Sequence, residues 1–232
     1  MIRLLIIIGS PRIAGNSAAL AQLSKAVADT STNPIVSTAI VSVAAVRFGG
    51  CTGCNGCSAT GICTVRDGMR EIYSEIDLAD AILWIAPVYF GSVPGQLKAL
   101  IDRFQAYWVR RQLREALGRP KPYHDRRPAS LVLVRGGGDP FGHEGAVTPV
   151  TAASNLAEFR LREPIVILGP DGPGDVASAP FDADRAAVEA EVRTLIDEAA
   201  RWVEQEEAET DTPYGSPSGA PSAGDPRAET QS

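Results

Sequence analysis

The sequence predicts an α/β fold, an open parallel sheet with helices on both faces, and three observations carry that prediction. Ile2–Ile8 and Ala81–Ala86 are unbroken apolar runs without in–out alternation, so each reads as a strand buried on both faces. Segments with apolar residues at helical spacing fall between such runs. Loops rich in glycine, serine and proline follow the strands, where a chain reverses direction.

Taken in order, Ile2–Ile8 is the first strand and ends at Gly9-Ser10-Pro11. A helix is expected from near Ser17 to about Asp29, with Asn16 or Ser17 available as N-cap and Leu20, Leu23 and Val27 on one face. Asn33-Pro34 breaks the chain, and a second strand lies within Ile35 to Val46. After a cysteine-rich loop, Asp67 is placed to cap a helix to about Ile76, with Met69, Ile72 and Ile76 inward. Ala81–Ala86 is the third strand, stopped by Pro87. The loop Pro87–Pro94 leads to a helix from about Gly95 to beyond Phe104, buried along Leu97, Leu100, Ile101 and Phe104. Residues 105 to 128 are expected to extend it and then form a basic, proline-containing connection.

Leu131–Val134 is the fourth strand and Gly136–Gly142 a loop. A helix over roughly 146–160 and a fifth strand, Ile165–Leu168, follow. Asp182 or Asp184 caps a last helix to about Glu207, using Val188, Val192, Leu195, Ile196 and Trp202. Beyond it the chain turns to Ser, Pro, Gly, Ala, Asp and Glu, which cannot bury enough surface to offset chain entropy. The expected organisation is therefore one domain over 1–207, with a cysteine-rich loop at 47–64, and a disordered tail over 208–232. No internal repeat is visible.

Open parallel sheets bind ligands beyond the carboxyl ends of their strands, where strand order reverses. Gly9–Ser17, Pro87–Pro94 and Gly136–Gly142 should meet there. The first of these lacks GxGxxG, which argues against a nicotinamide-binding Rossmann domain. It favours a flavodoxin-like, doubly wound five-stranded sheet of order 2-1-3-4-5. The first loop also opens a helix, so its N–H groups lie at the positive end of the helix dipole. Ser10, Asn16 and Ser17 add donors and Arg12 a charged fork, a set suited to a terminal phosphate. A capped turn with a solvated arginine is the plainer alternative.

Bulk properties narrow the class. A net charge of -6 gives no reason to expect nucleic acid or an anionic membrane as partner. The apolar start, MIRLLIIIGSPR, is too short to span a bilayer and lacks a signal-peptide cleavage site, so a cytoplasmic protein is expected. Cysteines there stay reduced. All four, Cys51, Cys54, Cys57 and Cys63, fall within thirteen residues interleaved with glycine. Such a loop can converge its sulfurs on a metal or cluster. Three states stay open: a [4Fe–4S] cluster held by four thiolates, free thiols or a disulfide, and zinc. Zinc is the most cramped, because the two CxxC pairs share Cys54.

GSPRIAGNS, the cysteine loop followed by VRDGM, and PVYFGSVPGQLKALIDR together resemble the NADPH-dependent FMN reductase family. The cysteines make the chain most similar to its iron–sulfur flavoprotein branch. The resemblance covers about the first hundred residues and thins after Phe104. It implies that Ser10, Arg12, Asn16 and Ser17 hold an FMN phosphate. Pro87, Val88, Tyr89, Phe90 and Gly91 would flank the ribityl chain and flavin ring, and Gly136 and Gly137 would let the backbone approach the ring. For the Tyr89 and Phe90 side chains, simple packing is an equal reading. The resemblance further implies a cluster on Cys51, Cys54, Cys57 and Cys63, a ferredoxin-type or NAD(P)H electron donor, and a homodimer or homotetramer.

Lys98, Asp102 and Arg103 match the family pattern but read as structural charges on a helix face. His124 and His143 read as ordinary surface or loop residues, and Phe104, Tyr107 and Trp108 as either a patch or core. The function expected is an FMN-dependent oxidoreductase moving electrons between a donor, FMN and a cluster. A cluster-free NAD(P)H-dependent FMN or quinone reductase, or a non-enzymatic redox carrier or thiol sensor, are the alternatives. No catalytic proton donor or nucleophile stands out.

Overall fold

The computed structural model describes residues 1–119, 126–137 and 140–210. His124, Gly138 and the expected tail beyond residue 210 lie outside them. Strands β1 (Ile2–Ile8), β2 (Val36–Ser42), β3 (Ala81–Pro87) and β4 (Arg127–Arg135) are joined by parallel pairing in the order β2-β1-β3-β4. The fifth position is shared by two short strands. β5 (Phe159–Leu161) pairs with the first residues of β4 and β6 (Ile165–Leu168) with its last. Between them the Arg162 N–H still donates to the Ala129 carbonyl at 2.9 Å, but Pro164 has no N–H to continue the ladder. The order 2-1-3-4-5 is as expected, and β5 is the addition, too short to carry a periodic signal.

The unbroken apolar runs are explained by burial on both faces. Leu5 and Ile7 of β1, with Ile82 and Trp84 of β3, enter one core, beneath α2 (Met69–Leu78), α3 (Gly95–Asp102) and α5 (Glu144–Leu156). Leu4, Ile6 and Ile8, with Leu83 and Ile85, enter the other, beneath α1 (Asn16–Asp29) and α6 (Asp182–Thr210). Each face removes well over a dozen apolar side chains from water, at about 1.5–3 kcal/mol for a large one.

Several element boundaries depart from expectation, among them α5, which ends at Leu156 rather than near 160. The helix expected from Gly95 is two, α3 and α4 (Gln105–Ala116), because the N–H groups of Arg103 and Phe104 bond back three residues rather than four. β4 begins at Arg127, whose guanidinium caps the end of α2 on the carbonyls of Ile76, Asp77 and Ala79. Helix α1 has Gly15 as N-cap with no side-chain cap bond, since neither Asn16 nor Ser17 is used that way. α6 runs on to Thr210, past the expected Glu207. Among the aromatics, Phe104 and Tyr107 are core and Trp108 is exposed.

Candidate functional site

Two cavities bear on the chemistry, one at the carboxyl edge of the sheet and one against the end of α3 and the start of α4. The first, about 480 Å³, lies over β1, β3 and β4 and is walled by the three predicted loops. Ser10, Arg12, Asn16 and Ser17 come from the first loop, Pro87, Val88, Tyr89 and Phe90 from the second, and Gly136 from the third. Gly91 and Gly137 do not line it, although Gly91 shapes the second loop.

The end of the cavity at α1 is set by backbone. The first-turn N–H groups of α1 have no intrahelical acceptor, and Gly15 is extended, so these donors face the cavity mouth unclaimed by a side-chain cap. Ser10 and Ser17 are buried beside them, and the Ser10 hydroxyl accepts the Arg12 N–H at 3.2 Å. Arg12 is exposed. Asn16 has a different task from that expected. Its amide donates to the carbonyls of Pro170 and Gly172 at 3.2 and 3.0 Å and its oxygen accepts the Val176 N–H. The Asn16 side chain therefore fastens the loop after β6, which brings Pro170 and Asp171 into the cavity wall. Those two residues, with Val134, Pro140 and Phe141, have no motif and reach the site only through the fold.

The second loop is a tight turn. Tyr89 and Ser92 exchange backbone hydrogen bonds of 2.8 and 3.0 Å, and both central residues are left-handed, Phe90 at φ 51° and Gly91 at φ 71°. Gly91 suits this; Phe90 does not, and such a residue costs about 1–3 kcal/mol. The turn leaves the Phe90 ring 94% exposed at the cavity rim. Its carbonyl side packs on the start of α5, where the Ser92 hydroxyl donates to the Gly145 carbonyl.

The second cavity, about 250 Å³, is lined by all four cysteines, together with Val65, Arg103 and Ala106. Its loop lies between β2 and α2 and is built on glycine where space is missing. Gly61 has φ 68°, and a Cβ there would meet the Arg110 backbone at 2.9 Å, so the loop lies directly on α4. At Gly56 a Cβ would strike the Thr64 hydroxyl at 2.2 Å. Gly53 and Asn55 are also left-handed, which turns the intervening Cys54 toward backbone donors. The Gly56 N–H, helped by the Thr52 and Thr64 hydroxyls, holds the Cys54 thiol below its ordinary value, which favours a thiolate.

Arg103, only 2% exposed, closes the loop. Nη1 donates to the Gly49 carbonyl at 2.9 Å and to Asp67 Oδ2 at 2.8 Å, while Nη2 donates to Asp67 Oδ1 at 3.2 Å and to Cys63 Sγ at 3.3 Å. Burial opposes the Asp67 charge, but Arg103 and the Gly49 and Met69 N–H groups hold its carboxyl below the usual range. Burial also opposes the guanidinium, and Asp67 and Cys63 outweigh it. Burial in turn raises Tyr73, whose hydroxyl donates to the Arg103 carbonyl at 2.6 Å. By contrast Lys98 and Asp102 form an exposed pair, the solvated role expected of all three charges. The signal for Arg103 was its spacing, three residues beyond Leu100 on the buried stripe.

Among the described residues no three His, Cys, Asp or Glu side chains converge closely enough to hold a single metal ion. Four thiolates are the donor set of a cluster, in which each holds its own iron, and all four cysteines line this one cavity. The two cavities share no lining residue. Helix α3 connects them: a Cβ on Gly9 would strike Leu97 at 2.4 Å, and Gly50 rests on Ala99. No helix among the described residues is long and apolar enough to cross a membrane.

Comparison with known proteins places these features in context. The sequence model of a family described as NADPH-dependent FMN reductase matches residues 2–143. An iron-sulfur flavoprotein of Methanocaldococcus jannaschii is 37% identical over 111 residues, 47% of this chain and 55% of the relative. One of Archaeoglobus fulgidus is 31% identical over 147 residues, 63% of this chain and 61% of the relative. The matched stretch thus spans little more than half the length of these relatives. In structure, the apo form of an NADH:FMN oxidoreductase aligns with TM-score 0.55 at 14% identity, covering 84% of this chain and 89% of that one. An NAD(P)H:acceptor oxidoreductase of Paracoccus denitrificans aligns with TM-score 0.55 at 15% identity, covering 87% and 98%. At such identity these structures speak for the fold alone.

Proposed function

Because this chain belongs to the NADPH-dependent FMN reductase family, we propose that it is an FMN-dependent oxidoreductase that also carries a [4Fe–4S] cluster on Cys51, Cys54, Cys57 and Cys63. The electron donor we assign is NAD(P)H or a ferredoxin-type carrier. The observation that carries the reading is the pair of cavities, one with unclaimed phosphate donors and one lined by every cysteine of the chain. The names of the two archaeal relatives support the cluster.

Bound FMN supplies two-electron and one-electron chemistry, and a cluster one-electron chemistry, so together they divide a two-electron input. The chain's own residues bind and orient. The first turn of α1 and the hydroxyls of Ser10 and Ser17 receive the phosphate, with Arg12 adding charge at the mouth. Val88 and Val134 give the cavity an apolar floor and Tyr89 and Phe90 an aromatic rim. Asn16 keeps the opposite wall in place through Pro170 and Gly172.

A second reading, a cluster-free NAD(P)H-dependent FMN or quinone reductase, draws on the family description, which names FMN reduction and no cluster. Iron, sulfide and FMN assays on anaerobically purified protein, with its visible spectrum, decide between them. About four irons per chain and one FMN support the proposal. FMN without iron, with NAD(P)H consumed in the presence of a quinone, leaves the second reading. Colourless protein containing zinc removes both.

A further inference from the structure

We propose that Arg103 is a positioning residue for the cysteine loop, whose guanidinium both closes the loop and raises the reduction potential of the cluster through its bond to Cys63. The inference rests on reading the four cysteines as a cluster site.

A buried guanidinium is costly unless its donors are used, and these are used on both ends of one loop. Gly49 lies two residues before Cys51 and Asp67 four after Cys63, so a single side chain spans the whole cysteine segment. Tyr73 fixes the Arg103 backbone from below. A mechanical latch needs only Gly49 and Asp67. The further bond from Nη2 to Cys63 Sγ, and the place of Arg103 in the cavity wall, put a charged donor against a ligand sulfur. Arg103 Nε is buried without a partner, so the guanidinium retains an unused donor inside that wall. A cluster becomes more negative on reduction. A cationic N–H bonded to one of its sulfurs therefore stabilises the reduced form more than the oxidised one. Loss of the bond and loss of the charge both act in the same direction, lowering the potential.

The test uses the full chain reconstituted anaerobically with ferrous iron and sulfide. The reduced cluster is followed by electron paramagnetic resonance in a potentiometric titration and the FMN couple optically. In Arg103→Gln the reduced-to-oxidised ratio of the cluster at fixed potential should fall at least about tenfold, about 59 mV for a one-electron couple, with the FMN couple unmoved. Arg103→Lys keeps a charge without the fork and should fall between. Asp67→Asn leaves the guanidinium without its counter-charge and should shift the cluster the other way. An iron-loaded Arg103→Gln protein with an unshifted cluster overturns the proposal. If that variant takes up no iron, Asp67→Asn decides, a rise supporting the tuning role and no rise overturning it. Loss of iron in all three variants makes Arg103 a latch only and also overturns it. Wild-type protein that binds FMN and no iron overturns the cluster reading itself, a failure recognised before any variant is made.

Discussion

The two cavities are held by opposite means. The FMN cavity is made from the ends of β1, β3 and β4 and the start of α1, so its shape comes with the sheet. The cysteine cavity is a long excursion between β2 and α2 without strand or helix of its own. It depends on one buried ion pair, a few left-handed residues and a glycine pressed on α4. A site built from element ends tolerates change in any one side chain, whereas a site built from a latched loop does not. The comparison makes two separable sets of expectations, one for iron and one for flavin.

The largest effect should follow from removing a ligand. Cys57→Ser should abolish iron uptake while FMN stays near one per chain, because no residue of one cavity lines the other. Parallel iron and flavin assays measure this, and joint loss of both cofactors would show that the cavities are coupled. Next comes Gly61→Val. A β-branched residue at φ 68° with the Arg110 backbone at 2.9 Å must lift the loop from α4. We expect a loss of about 1–3 kcal/mol in urea unfolding and reduced iron content, again with FMN retained. If iron content were unchanged, the loop would not need its seat on α4.

A smaller effect is expected at the flavin cavity. Arg12→Gln removes a charge from the phosphate end, but Arg12 is exposed and the helix N–H groups remain. A hydrogen bond to a charged group is worth about 1.5–3 kcal/mol, and exposure points to the lower end, about tenfold in Kd. Titration calorimetry should show this loss for FMN and none for riboflavin, which lacks the phosphate. Equal losses would move Arg12 away from the phosphate.

How legible each cavity was in the sequence follows from the same contrast. Ile2–Ile8 and Ala81–Ala86 announce buried strands in their composition, and the loops after them inherit their position from the topology. That the first loop, with Ser10, Arg12, Asn16 and Ser17, lines a cavity with the second and third could therefore be expected in advance. Asn16 could not be assigned its task, because Pro170 and Gly172, more than 150 residues on, are brought to it only by the sheet. Arg103 was hidden by rule: charges on helices are usually solvated, as Lys98 and Asp102 are. Its spacing, three residues beyond Leu100 on the buried stripe, marked it for burial, but its charge outweighed that signal. Phe159–Leu161 was missed for length, since three residues carry no pattern.

The smallest effect should sharpen the flavin side. Phe90 occupies a left-handed position suited to Gly or Asn, yet its ring is 94% exposed and so gains almost nothing from packing. Phe90→Asn should relieve the strain and raise the stability of the apoprotein by up to about 1 kcal/mol, about 2–4 °C in Tm. If the ring is held at the rim to cover bound flavin, the same variant should weaken FMN and riboflavin binding alike, about two- to fivefold. That pattern, stability gained and both flavins loosened, differs from the phosphate-only loss at Arg12. A more stable protein with unchanged affinity for both flavins would instead make the exposed ring a feature of the turn, with no part in holding the ligand.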